Sequence, residues 1–276
     1  MNFTSEVLTI EIDQEVATLW LDRPEARNAM GGEFWRDLPR AAAALREQTA
    51  LRVLILAAKG PHFTVGLDLK EMGGVLVQSG AGTRSSASSS AVTYQAIRTM
   101  QGAITSIAEL PFPVIAAIHG YCIGGGVDLI SACDIRLSSS TATFSVREAK
   151  VAIVADLGTL QRLPRLIGAG HLAELAFTGG DIDATRAETI GLVNRICGDD
   201  AASVMRGARE LADRIGANSP LAVQGTKAVL AANDGRRVSE GLEFVARWNT
   251  MYLQSNDLKE AMTAFIERRP ATYTGD

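Results

Sequence analysis

Three observations predict an α/β fold with a helical C-terminal region. Apolar, strand-like runs alternate with segments of helical periodicity over residues 1–200. Two of the runs, residues 53–58 and 114–118, are almost continuously apolar, the character of strands covered on both faces. From Ala201 onward only helical patterns remain. The switch near residue 200 therefore divides the chain into a core, 1–200, and a helical region, 201–276.

The elements follow in order. Residues 7–12 and 16–21 alternate as two strands joined by Asp13-Gln14-Glu15, a hairpin, and Pro24 ends the second by removing a ladder donor. Residues 33–47 place Phe34, Leu38, Ala41, Ala42 and Leu45 on one helical face. After the 53–58 strand, Lys59-Gly60-Pro61 turns and residues 62–66 return the chain. Residues 79–90 are a Ser/Gly/Ala stretch too poor in apolar groups to order itself. It is either a disordered surface loop or a mobile wall over a ligand site. Residues 93–110 are helical until Pro111 and Pro113 stop them. The 114–118 strand then breaks at His119-Gly120-Tyr121, reaches Gly124-Gly125-Gly126, and continues as a helix and a strand through Leu137. Further on, 142–146 is a short strand, 157–167 one helix, 172–178 another, Asp183 caps a helix to Thr189, and 192–196 is a strand. The late helices are 201–216, 220–232, 238–254 and 257–268. Their apolar faces call for docking onto the core or onto a neighbouring subunit.

Composition excludes several classes. Hydrophobic content of 47% and charged content of 21% fit a globular protein long enough, at 276 residues, to bury a core. A net charge of −4 argues against a nucleic-acid partner, which needs clustered cations. No apolar run reaches the about 20 residues that span a bilayer, so no membrane partner is expected. Three histidines and three cysteines without ligand spacing predict no metal site. The cysteines (Cys122, Cys133, Cys197) read as small core residues of a reducing compartment. With no secretory or transit pattern at the N-terminus and no peroxisomal tail in Thr274-Gly275-Asp276, a cytoplasmic protein is expected.

Chemistry is concentrated in a few places. The Gly run lets backbone N–H groups approach a ligand, although a tight strand-to-helix turn explains it equally. It matches neither a P-loop nor a dinucleotide fingerprint. Gly66-Leu67-Asp68-Leu69-Lys70 could expose a second N–H, or be an ordinary turn into a helix. Three acids follow the Gly run, each with a bland explanation: Asp128 complements a helix start, Glu148 lies in a charged cluster, and Asp156 could cap the next helix. Asp156, however, follows the apolar run 151–155, where a carboxyl should have a raised pKa and could trade protons near neutrality. No nucleophile motif is present.

Three segments together resemble the crotonase (enoyl-CoA hydratase/isomerase) superfamily: Leu21-Asp22-Arg23-Pro24-Glu25-Ala26-Arg27-Asn28-Ala29-Met30, Phe63-Thr64-Val65-Gly66-Leu67-Asp68-Leu69, and Pro113 through Gly126. The resemblance covers nearly the whole chain. Hydratases of the family usually carry two glutamates where this chain has Asp128 and Glu148. The set Gly126-Val127-Asp128, Ala155 through Pro164, Ser219 through Lys227, and Trp248-Asn249 looks like a Δ3,5-Δ2,4-dienoyl-CoA isomerase. The resemblance implies a spiral of β-β-α units with C-terminal helices that trimerise, as a homotrimer or a dimer of trimers. It implies an acyl-CoA thioester substrate whose oxygen is held by the backbone N–H groups of Leu67 and Gly125. It places Glu148, Asp156 and Asp128 as the catalytic acids along the acyl chain. Val65, Gly66, Asp68 and Gly124 would shape the thioester site, and Arg27, Arg23 or Lys70 would hold the coenzyme A phosphates, since Glu25 stands where some hydratases have a cation. No cofactor is implied beyond the coenzyme A that the substrate carries. Enoyl-CoA hydratase is the alternative reading, and a non-catalytic binding protein of the same fold a more distant one.

Overall fold

The computed structural model describes residues 3–71 and 86–276, with backbone alone for 86–89. Among the described residues, nine strands form two sheets. β1 (Leu8–Asp13) and β2 (Val16–Leu21) make the antiparallel hairpin. β3 (Val53–Ala58), β4 (Val114–Ile118), β6 (Ile135–Ser138) and β9 (Arg195–Ile196) continue it in parallel, in the order β1-β2-β3-β4-β6-β9. β5 (Tyr121–Ile123), β7 (Thr143–Ser145) and β8 (Asp181–Asp183) form a second sheet, with β5 and β7 parallel. β4 and β5 are neighbours in sequence but belong to different sheets, and so do β6 and β7. The chain therefore winds as a spiral in which one strand joins the large sheet and the next joins the small one.

The strand pattern explains the layers. Along β3, Leu54, Leu56 and Ala58 face one apolar cluster, while Val53, Ile55 and Ala57 face another. The first cluster receives α1 (Gly32–Arg46), α2 (Ser86–Ala108) and α3 (Gly125–Ser131) through Phe34, Leu38, Leu45, Ile104, Ile107 and Val127. The second receives α8 (Ala201–Gly216) through Val204, Ala208 and Ala212. Burying a Leu, Ile or Val side chain contributes about 1.5–3 kcal/mol, so a strand apolar on both faces is held from both sides. Between these lie α4 (Thr159–Arg162), α5 (Pro164–Ile167), α6 (Ala169–Thr178) and α7 (Ala184–Thr189). After α8 come α9 (Pro220–Ala232), α10 (Val238–Tyr252) and α11 (Asn256–Glu267). These last helices keep large apolar residues exposed, among them Leu230, Val238, Leu242, Phe265 and Ile266. None of the described helices is long and apolar enough to cross a membrane.

Several expectations change. The helix expected over 157–167 is two short ones, because Pro164 cannot donate and starts α5 afresh. The strand expected at 192–196 shrinks to β9, since the Leu192 carbonyl accepts the Arg136 guanidinium and the Val193 N–H turns back to Ala187. Residues 62–66 return the chain as expected and run beside the small sheet, where Thr64 bridges Cys122 and the His62 ring stacks on Tyr121. The helix expected from 93 begins at Ser86, so the end of the Ser-rich stretch is helical. The remainder of that stretch, 79–85, lies outside the described residues. Cys122 and Cys133 are buried, Cys197 is half-buried, and all three are free thiols.

Candidate active site

Gly66 turns the chain with φ +83°, and a Cβ there would stand 2.6 Å from the Ile123 carbonyl oxygen. That is a position for glycine. The turn is pinned on both sides. The Gly66 N–H donates to Thr64 Oγ1 (3.1 Å), the Met30 N–H donates to the Gly66 carbonyl (2.8 Å), and the Asp68 N–H donates to the Met30 carbonyl (3.1 Å). The Leu67 N–H between them donates to nothing among the described residues. Gly125 begins α3, where an N–H has no intrahelical acceptor, and Gly124 supplies no side-chain cap. The two N–H groups are close, since a Cβ on Gly125 would lie 3.9 Å from the Leu67 nitrogen. Both residues line a cavity of about 120 Å³, together with Val65, Gly66, Gly124, Asp128, Glu148 and Asp156. Two free backbone donors aimed at one cavity fit an oxygen that gains negative charge during reaction.

The three acids meet in the same cavity, and the bland explanations fare differently. Asp128 is 1% exposed, and its Oδ1 accepts the Thr159 N–H at 2.6 Å. Burial raises its pKa to about 6, against the opposing pull of Thr159. Glu148 starts a 3-10 turn, Glu148–Val151, beside the Gly run, and its Oε2 is buried without a partner. Burial first, and the Asp128 charge second, raise it to about 7. Asp156 is not a helix cap. The residue before α4 is Gly158, without a side-chain cap bond, and the Thr159 N–H goes to Asp128 instead. Burial raises the Asp156 carboxyl as well.

Three other candidates do not join this wall. The Asp68 carboxylate accepts the N–H groups of Lys70 and Glu71 and pairs with Arg23 at 3.0 Å, so it organises a turn. Arg27 and Lys70 are exposed at the surface, and the Arg27 carbonyl accepts the Val65 N–H. Two contributors were not foreseen. Gln101, from the middle of α2, donates to the Asp156 carbonyl at 2.6 Å, and Thr159 supplies the N–H to Asp128. Gln101 carries no local signal, because its partner is 55 residues away. A larger basin of about 750 Å³ lies behind the Asp156 loop and shares Asp156 and Leu157 with the cavity.

The model of the enoyl-CoA hydratase/isomerase family matches residues 11–276. The chain is 43% identical to the peroxisomal Δ(3,5)-Δ(2,4)-dienoyl-CoA isomerase of Arabidopsis thaliana, covering 97% of this chain and 96% of the relative. It is 39% identical to the mitochondrial protein of that name from Homo sapiens, covering 93% and 77%. Among solved structures, an enoyl-CoA hydratase from Bacillus anthracis superposes with a TM-score of 0.87 at 29% identity, covering 98% of this chain and all of the other. These relatives correct one expectation. They are named peroxisomal or mitochondrial, which points away from the cytoplasm. An organelle address is a short segment read by a receptor, so termini without a familiar pattern do not fix the compartment. With free donors, clustered acids and a match over nearly its full length, the chain is an enzyme of the enoyl-CoA hydratase/isomerase family.

Proposed function

We propose that this enzyme moves the double bonds of a 3,5-dienoyl thioester of coenzyme A to the 2,4 positions. The observation that carries the reading is Asp156, a carboxyl with no capping duty that lines the same cavity as two unsatisfied N–H donors. The relatives named dienoyl-CoA isomerases support it. A proton next to a thioester leaves at neutral pH only when the enolate oxygen is stabilised. The Leu67 and Gly125 N–H groups supply that stabilisation, each such donor being worth about 3 kcal/mol. Glu148 takes the C2 proton. The electron pair of that bond forms C2=C3, the C3=C4 pair becomes C4=C5, and the C5=C6 pair takes a proton from Asp156 at C6. Asp128, ionised beside Glu148, keeps the Glu148 proton affinity near neutrality. The transfers need no metal and no covalent intermediate, and coenzyme A enters as part of the substrate. Arg27 and Lys70, both exposed, are the basic groups proposed for its phosphates.

Hydration of a 2-enoyl thioester is the second reading, favoured by the unpartnered Glu148 Oε2, which could hold a water. Spectroscopic assays with a 3,5-dienoyl-CoA and with crotonyl-CoA separate the two. The isomerase reading expects a dominant dienoyl shift. It also expects Asp156→Asn to lower that rate by at least about 100-fold, the usual scale of acid–base catalysis, with the melting temperature unchanged. Efficient hydration without a dienoyl shift would refute it. We further infer assembly as a homotrimer or dimer of trimers through the exposed apolar faces of α10 and α11.

A further inference from the structure

Asp156 has an exacting task in the proposed chemistry and little support of its own. It lines both the acyl cavity of about 120 Å³ and the basin of about 750 Å³. At Asp156 the loop therefore has open space on two sides, where close packing does not hold it. Among the described residues, no other residue donates to the Asp156 carboxyl. Its reach is thus set by where its backbone stands, and that backbone is tied by hydrogen bonds to one helix.

The helix is α2, which buries Met100, Ala103, Ile104 and Ile107 in the core. Gln101 and Thr105, four residues apart and so on one side of the helix, meet the loop. Gln101 Nε2 donates to the Asp156 carbonyl at 2.6 Å. Thr105 acts through Arg162: its Oγ1 accepts Arg162 Nη2 (3.0 Å), and Arg162 Nη1 donates to the Leu157 carbonyl (3.3 Å). Gln101 is also held at its other atom, since its Oε1 accepts Arg98 Nη1 at 2.8 Å. A guanidinium can only donate and a carbonyl can only accept, so an amide serves both and its orientation is settled. A carboxylate at 101 would suit Arg98 and repel the carbonyl. An ammonium would do the reverse. Helix propensity does not choose among Gln, Glu and Lys, so the preference for glutamine comes from the loop.

We propose that Gln101 is a positioning residue for Asp156: by tying the Asp156 carbonyl to α2 it keeps the carboxyl at C6 of the acyl chain, and so governs delivery of the second proton without touching removal of the first. This role rests on the isomerase reading, in which the C2 proton passes to Glu148. The dienolate then takes a proton from Asp156 at C6, giving product, or takes one back from Glu148 at C2, giving substrate. Glu148 stands on the 3-10 turn after β7, apart from the Gln101 tie. A loosened Asp156 therefore favours return to C2. Misplacing a reacting group by about 1 Å costs on the order of 100-fold. Once the Glu148 proton has exchanged with deuterium oxide, each return leaves deuterium at C2 of the recovered substrate.

The test is Gln101→Glu in the full-length enzyme, given a 3,5-dienoyl-CoA in deuterium oxide. The dienoyl shift is followed spectroscopically and deuterium at C2 by NMR. The variant keeps the side-chain length and the bond from Arg98, and removes the donor. It should lower kcat for isomerisation about 100-fold with KM within about twofold, while exchange at C2 stays at or above the parent level and the melting temperature is unchanged. Gln101→Met, which carries no charge, should do the same, so that the lost donor is separated from the field of a new carboxylate. The methionine variant also decides if Gln101→Glu fails to fold. Isomerisation within about threefold of the parent in either variant overturns the proposal. So does exchange that is absent or falls in step with isomerisation, which would make Gln101 a general support of the fold. A parent enzyme that shifts no dienoyl double bonds defeats the isomerase reading itself, so the two failures are told apart by the parent alone.

Discussion

At the scale of single residues, the site is governed by where carboxyls can afford to be charged. Asp128 and Glu148 are raised to about 6 and about 7, chiefly by burial. As the proposed base, Glu148 must be unprotonated, so kcat/KM should rise through an apparent pKa near 7, a value belonging to the coupled acids together. A pH profile flat from 5 to 8 would contradict that assignment. The same shifts predict stability. A carboxyl whose folded pKa is raised binds its proton more tightly in the folded state. Its contribution is therefore most favourable below the unfolded value, near 4, and is lost as pH rises through about 6. Asp128→Asn removes that loss and can still accept the Thr159 N–H. It should be about 1–2 kcal/mol more stable than the parent at pH 8, below the ceiling set by ~1.36 kcal/mol per pKa unit, and no more stable at pH 4. Urea denaturation at the two pH values measures the difference. From the sequence, Asp156 looked as much like an N-cap as an acid. The cap reading was eliminated only by seeing the Thr159 N–H spent on Asp128, 31 residues away.

At the scale of elements, periodicity was a sound guide wherever one apolar face met one partner. α1, α8, α9 and strands β2, β3 and β4 fall within a residue of their sequence patterns. It failed where side chains from elsewhere claimed the backbone, as at 192–194, or where proline divided a continuous apolar pattern, as at Pro164. The C-terminal elements are tied by one buried acid. Asp257, 3% exposed at the start of α11, accepts the Ser219 hydroxyl at 2.5 Å and the N–H groups of Thr274 (2.9 Å) and Gly275 (3.1 Å). It thereby binds the start of α9 and the C-terminal tail to α11. Asp257→Ala strands three donors. It should lower stability by on the order of 3 kcal/mol, read as a reduced denaturant midpoint with catalysis per folded molecule unchanged.

At the scale of the whole molecule, two features depend on the spiral. The first is the site itself: a turn after β3, the first residue of α3, a 3-10 turn after β7 and the loop before α4 converge although Leu67 and Asp156 are 89 positions apart. The second is the surface left over. Phe265 is 82% and Ile266 77% exposed on α11, and Val238 is 80% exposed on α10, a concentration of large apolar groups that a second copy would cover. Phe265→Asp should dissociate the proposed trimer toward the 29.3 kDa subunit in light scattering. A parent protein that is itself monomeric at micromolar concentration would refute the trimer.

The sequence by itself determined the elements that rest on local pattern: the doubly apolar strands, the amphipathic helices, the glycines at the two backbone donors, and the family likeness those segments carry. These depend on neighbours within a few residues, which a linear reading contains. Only the tertiary structure decided that Asp128 accepts the Thr159 N–H while Glu148 keeps an oxygen without a partner, that Asp68 serves a turn, that Arg27 and Lys70 stay outside the cavity wall, and that Gln101 and Arg162 hold carbonyls of the loop that carries Asp156. Those outcomes turn on hydrogen-bond competition between groups 31, 55 or 57 residues apart. An N–H can be spent on only one acceptor at a time in a good geometry, and which acceptor arrives is settled by how the spiral closes.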